Sequence, residues 1–466
     1  MVRAQKSEIF SGIVDYSQAF QAVDITTQRM KNAIKDWVNL YYQKEADGNE
    51  DPCQQIPYTI VRKLTKTVFS EYSATGEDDF SNMVLDALDK KSQEALQMML
   101  IGGESLLKPI PTVDGFYFAV VPRQNVRVFG RDITGKMTDI GTDERSNDNK
   151  FYYTLLERRT VDANGYLTIR NSLYRSLNKE NLGERVPLSS VPRYEQLVDE
   201  YTFPKPVGSV GLISLKTPMA NCVDGSADGV SVYAAAIGLI HSINKNEAQI
   251  NGEFERGESR VIASADFLRK IPEVNRDRIF ANQGESHELN SHLFAALDGD
   301  PEEVGITIFS PALREQSFLA RKQEYLRNVE NVIGLKRGLL SEVEAAERTA
   351  TEITSSAGEY NLTIIDFQKV WEDAVKEALR VCAILGDAYK VDGAHPVDEN
   401  TVVINWGNGI LYDEAKAYKE MKELVSMGLL QPEHLMGWYY NMPHETPEDL
   451  AIIRERYMPV AVEEVI

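Results

Sequence analysis

Apolar positions recur every three or four residues through most of the first hundred residues. Phe20, Val23, Ile34, Trp37, Val38 and Tyr41 fall roughly on one stripe of a helix predicted over 18–45. The turn-rich stretch ADGNEDPCQQ (46–55) ends it. Ile60, Leu64, Val68 and Tyr72 then follow at four-residue spacing, which predicts a helix over 56–72. Residues 78–103 give one or two more helices, closed by Gly102 and Gly103 as a stop signal. From there the period shortens. Residues 103–132 are rich in Val, Phe and Tyr with Gly and Pro punctuation, which suits strands and turns. In 151–176 two β-rich runs flank Asp162-Ala163-Asn164-Gly165, a hairpin signature. Residues 177–230 read as loops and short strands. A mostly β layer over 104–230 laid on N-terminal helices is an α+β arrangement.

The helical period returns at Ser231. Ile237, Ile240, Ile243, Ile250 and Phe254 mark an apolar stripe, while Asn244, Glu247, Gln249, Asn251 and Glu253 lie outside it. A second long helix brings the chain back to Gly334, with Phe318, Lys322, Tyr325, Val329 and Val332 at four–three spacing. Between the two helices, Val261-Ile262-Ala263 and Ile306-Thr307-Ile308-Phe309 are short apolar runs suited to pairing as strands, separated by a polar loop. Two long helices around a small insert form a hairpin with a knob on its end. That shape suits assembly better than it suits an enzyme pocket. Gly334 and Gly338 bracket a short basic turn, Lys336-Arg337. A long helix follows over 349–385, with small residues at Thr354–Gly358 as the expected kink. Residues 401–411 read as strand and turn. Residues 412–457 read as two or three short helices, with Pro432 and Pro447 at helix starts.

Charge narrows the choice of partners. The chain has 466 residues, enough for roughly two to four domains or layers. Its formal net charge of -21 repels phosphate backbones and argues against tight non-specific nucleic-acid binding. Contact with DNA is expected to be loose, or made through a few local cations, and Lys336, Arg337 and Arg348 beside the predicted turn are the candidates. The three cysteines, Cys53, Cys222 and Cys382, are far apart and suggest neither a disulfide framework nor a zinc site. No signal peptide is read at the N-terminus, and no run of about eighteen apolar residues is present to span a membrane.

No catalytic constellation emerges. Gly130-Arg131-Asp132-Ile133-Thr134-Gly135-Lys136 has the GxxxxGK skeleton of a phosphate-binding loop. Met137 stands where Ser or Thr is needed to hold magnesium, and the sequence that follows is not helical, so Thr134-Gly135-Lys136 reads as a hairpin tip. His287 and His292 lack zinc-binding spacing, and Asp298–Glu303 lacks a calcium loop's full ligand set. No cofactor, metal or catalytic residue is assigned, and the chain is not expected to be an enzyme.

Several phrases, taken in order, carry a family likeness. They are QQIPYTIVRKLTKTVFSE (54–71), GGESLLKPIPTVDGFYFAVVPRQNVRVF (102–129), GVSVYAAAIGLIHSINKNEAQINGEFERGESRVI (229–262), ITIFSPALREQSFLARKQEYLRNVENVIGL (306–335), ERTATEI (347–353) and WGNGILYDE (406–414). Together they resemble the portal proteins of tailed double-stranded DNA bacteriophages, of the type found in long-tailed phages of Gram-positive hosts. The resemblance implies a ring of about twelve subunits at one capsid vertex. It implies a wing over 1–230, stem helices over 231–257 and 311–333, and a clip over 258–310. It further implies a tunnel loop over 334–348, a long kinked helix and return to the wing over 349–411, and a crown over 412–466. In such a ring Ile237, Ile240, Ile243, Ile250, Phe318, Tyr325 and Val329 of the stem face the neighbouring subunit, and Lys336, Arg337 and Arg348 touch passing DNA. The implied partners are the other ring subunits, double-stranded DNA held without sequence readout, a terminase motor, a head–tail adaptor, and the major capsid and scaffolding proteins. The implied location is the virion's portal vertex, after synthesis in the host bacterial cytoplasm, with no membrane contact. A head–tail connector or scaffold without a DNA channel is the alternative.

Overall fold

The computed structural model describes residues 16–43, 52–112, 114–256, 260–264, 294–297, 306–309, 314–342, 350–407, 414–440, 442 and 446–457. The helix expected over 18–45 is divided. A single turn, α1 (Ser17–Phe20), stops where Gln21 takes a left-handed conformation, with φ 54°. The main helix, α2 (Gln28–Tyr42), begins only at Thr27, whose hydroxyl accepts the Met30 N–H at 3.1 Å. Asp24 accepts the Thr26 N–H just upstream. These polar side chains give the backbone local partners that compete with helix, and the element starts where the last of them caps it. Phe20 and Val23 therefore leave the stripe. Phe20 packs beside Phe129, and Val23 is 79% exposed.

The next helix, α3 (Ile56–Val68), buries Ile60, Leu64 and Val68 as their spacing predicts. It ends before Tyr72, which joins Phe69, Trp371 and Trp406 in an aromatic group. Residues 79–102 form one unbroken helix, α4 (Asp79–Gly102). Asp78 caps it by accepting the Ser81 N–H at 2.8 Å. Gly103 ends it at φ 83°, and a Cβ there would lie 2.4 Å from the Gly229 carbonyl carbon. Only glycine lets the segment entering the hairpin pass so close to the end of α4.

Two sheets follow from the shortened period, and one more pairing is long-range. Strands β2 (Glu104–Thr112) and β3 (Gly115–Pro122) pair antiparallel, and β10 (Ile213–Lys216) adds to the far side of β2. The larger sheet runs β4 (Val126–Arg131), β5 (Met137–Asn147), β6 (Tyr152–Val161), β7 (Leu167–Ser176) and β8 (Glu184–Val186), with β9 (Glu200–Thr202) also on β7. The Asp162–Gly165 turn joins β6 to β7 as expected, with Gly165 at φ 85°. The GxxxxGK stretch is the β4–β5 hairpin tip. Asp132 Oδ1 accepts the N–H groups of Thr134 and Lys136, and a strand, not a helix, follows. A tip of this kind offers no helix N-terminus to a phosphate. The short strand β1 (Ser73–Thr75) pairs with β14 (Val403–Asn405), near the other end of the chain.

The hairpin helices are α5 (Ile237–Arg256) and α6 (Glu315–Ile333). In the insert, β11 (Arg260–Ser264) pairs antiparallel with β13 (Ile306–Phe309), the two runs picked out by their apolarity. A third strand, β12 (Phe294–Leu297), lies parallel to β11 on its other side. The strand is only four residues long inside sequence that reads as polar loop, so periodicity does not reveal it. His287, His292, Asp298–Glu303 and Arg348 lie outside the described residues. The long helix α7 (Ala350–Tyr389) has 40 residues and continues without a break through Thr354–Gly358. One helical glycine costs about 1 kcal/mol, too little to interrupt a helix this long. The C-terminal helices are α8 (Glu414–Ser426), α9 (Pro432–Tyr439) and α10 (Pro447–Tyr457), the last two starting at their prolines.

One core joins α2, α3, α4, the β10–β2–β3 sheet, the lower parts of α5 and α6, and α7. Trp37, Trp371, Phe118, Ile243 and Val329 all belong to it. The larger sheet keeps small clusters of its own, such as Val126, Val128 and Ile140. Cys382 is buried, and its burial pushes the thiol well above its usual range, while Cys222 is exposed.

Candidate functional site

Polar side chains bridge the two helices of the hairpin. Asn246 Nδ2 donates to the Phe318 carbonyl at 3.1 Å. Lys322 Nζ lies 2.7 Å from Glu247 Oε2 and also reaches Gln54 Oε1. Near the tip, Arg314 forms a two-pronged pair with Glu253, at 3.0 and 2.8 Å. Asn244, 2% exposed, accepts the Gln54 N–H and ties α5 to the N-terminal layer. Polar rungs fix the register of two antiparallel helices more sharply than aliphatic contacts do, because their donors and acceptors meet at one offset.

The stripe expected to be left for a neighbour is largely covered from within. Ile240, Ile243 and Ile250 are 1%, 0% and 7% exposed, and Val329 is 0% exposed. Ile237, Phe318 and Tyr325 are half-buried. Arg314 lies over the Phe318 ring and Arg321 over the Tyr325 ring, at 5.6 and 4.4 Å. The expectation of an apolar face along Ile240, Ile243 and Ile250 that only a ring would cover is therefore corrected. Antiparallel packing of α5 on α6, with the N-terminal layer at their base, already covers these residues. Among the described residues, the large apolar side chains exposed on the hairpin helices are Phe254, Leu319 and Val332.

At the base of α6 the chain makes the basic turn. Gly334 takes φ 76°, the Leu335 N–H reaches the Glu330 carbonyl at 2.8 Å, and the Gly334 N–H reaches Asn331. This is a Schellman stop. A tight turn follows, closed by the Leu339 N–H on the Lys336 carbonyl at 3.0 Å, with Gly338 at φ 90°. Lys336 and Arg337 occupy the two positions before that glycine and are exposed. The turn is built onto the core. Leu335 is buried, Lys63 Nζ donates to the Leu339 carbonyl, and Thr363 Oγ1 donates to the Gly334 carbonyl.

Sequence patterning overlooked the group beneath the turn. Glu330 is 1% exposed, and its carboxylate accepts the N–H groups of Gly338, Leu340 and Ser341 and the Ser341 hydroxyl. A signal was present. Glu330 sits among Leu326, Val329 and Ile333 on the buried face of α6, and a carboxylate on an inward face needs donors. The structure thus brings Lys336 and Arg337 together on a braced turn. Among the described residues, no group of His, Cys, Asp and Glu is arranged to hold a metal, and no helix is long and apolar enough to cross a membrane.

No family model matches the chain, and no curated protein matches it. Among solved structures it is similar to a chain of the neck of an empty GTA particle computed with C6 symmetry. The identity is 11% and the TM-score 0.47, covering 92% of this chain and 98% of that one.

Proposed function

We propose that this chain is the subunit of a phage portal, a ring at one capsid vertex through which DNA is packaged and ejected. The observation that carries the reading is the order and build of one region. A register-locked helical hairpin ends in a small sheet, returns to a braced turn bearing two exposed cations, and continues into a long helix rooted in the core. Its sequence resemblance to portal proteins of tailed phages supports the same reading. In the ring the hairpin is the stem, the three-stranded insert is the clip that meets the terminase motor and the head–tail adaptor, and α8 to α10 belong to the crown. Capsid and scaffolding proteins surround it, and the chain does no chemistry of its own.

The electrostatics suit a conduit. An acidic wall keeps a polyanion hydrated and mobile, and a few cations at one level make brief phosphate contacts without reading sequence. The test is the assembled particle. Purified protein should give a mass near that of about twelve subunits, with an axial hole in end-on electron micrographs. A compact monomer under all conditions would overturn the reading, and a ring without a hole would favour a connector without a channel. Lys336→Glu combined with Arg337→Glu should leave rings intact and change DNA packaging or retention. Unchanged packaging would remove the contact role from this turn.

A further inference from the structure

We propose that Glu330 is the positioning residue of the basic turn, a buried carboxylate that holds Lys336 and Arg337 in a single presentation toward DNA. The inference rests on the reading of those two cations as DNA contacts. Glu330 receives four donors, three of them backbone N–H groups of Gly338, Leu340 and Ser341. A hydrogen bond to a carboxylate is roughly twice as strong as one between neutral groups. The carboxylate sits at the end of α6, close before the Gly334 stop, so the turn is bonded back onto the helix that leads into it. A second brace, Lys63 to the Leu339 carbonyl, comes from α3 and holds the other side.

The arrangement has a consequence for binding. Converging loop N–H groups are ordinarily an anion site. Here the protein's own carboxylate fills that site, so a passing phosphate meets only the two flexible side chains beyond it. The grip is weak by construction, and its placement is rigid.

Glu330→Gln keeps the shape and removes the charge. Hydrogen exchange on the purified full chain should show Gly338, Leu340 and Ser341 exchanging about tenfold faster in this variant, while α7 amides near Trp371 keep their protection. Unchanged exchange at those three amides would overturn the latch. Binding of a random-sequence duplex DNA at low salt should weaken in Glu330→Gln severalfold. It should not weaken further when Glu330→Gln is added to Lys336→Glu with Arg337→Glu. A further loss in that background would mean that Glu330 acts by some route other than the cations, and would overturn its positioning role. If the cation variant alone leaves duplex binding unchanged, the DNA reading of the turn fails, while the latch itself is still decided by exchange.

Discussion

Glu157 shows how much one buried side chain can set. It lies on β6 between Lys108 of β2, at 2.6 Å, and Arg159, at 2.7 Å. Arg159 in turn donates to the carbonyls of Val210 and Gly211. The trio is the joint between the two larger sheets. Burial alone would push the Glu157 carboxyl up, but the charges of Arg159 and Lys108 and their hydrogen bonds outweigh it and hold the carboxyl down at about 2. A carboxyl depressed in the folded state adds stability that is present above its unfolded value near 4.3 and is lost as pH falls through about 2. Glu157→Gln should therefore cost about 3 kcal/mol at neutral pH, read as a lower urea midpoint, and the deficit should shrink between pH 4 and pH 2. A deficit constant over that range would show that the charge is not what the joint uses. Asp143 is half-buried, and desolvation pushes its carboxyl the other way, so the variant is needed to isolate Glu157 from the wild-type acid transition. The sequence displayed the hairpin that carries Glu157, with Arg159 two residues on along the same face of β6. Lys108 of β2 meets them only when the two sheets come together, and no local spacing encodes that.

At the scale of elements, period and punctuation were legible and boundaries were less so. Asp78, Gly103, Gly165, Pro432 and Pro447 each stand where the chain turns or starts a helix, because their demands on the backbone are local. The stripe 18–45 misled because Thr27 is a stronger helix start than Phe20 and Val23 are helix members. The hairpin's apolar stripe was also legible, but not what would cover it, since a periodic face says only that something must. Its two kinds of apolar residue give opposite expectations. Ile243→Ala should cost about 2–5 kcal/mol, because it empties a fully buried position in the main core. Leu319→Asp lies on exposed helix surface and should leave the midpoint within about 0.5 kcal/mol, yet lower the assembled fraction in light scattering. Rings that form normally with Leu319→Asp would place the subunit contact on another face.

The whole molecule is where the sequence was least explicit. Ala74 pairs with Ile404, and Thr217 donates to the Gly103 carbonyl, contacts that join segments far apart in the chain. A three-residue strand such as β1 carries too little pattern to announce itself, and although β14 falls within the strand expected over 401–411, nothing local names β1 as its partner. The same closure makes the hairpin base and the N-terminal helices one folding unit, so the α5–α6 stem is rooted rather than appended. That rooting also divides the four tryptophans. Trp37 and Trp371 are fully buried, and Trp406 sits beside Trp371's aromatic group and donates to Glu372 at 2.6 Å. Trp438 lies apart on α9, which packs with α8 and α10. The molecule therefore carries its own optical labels. Emission from the first three indoles should shift to the red together in urea, as one core is lost. The difference between the parent and Trp438→Phe should isolate the light from α9 and fade at lower urea. Coincident transitions would mean that the C-terminal helices share the stability of the core.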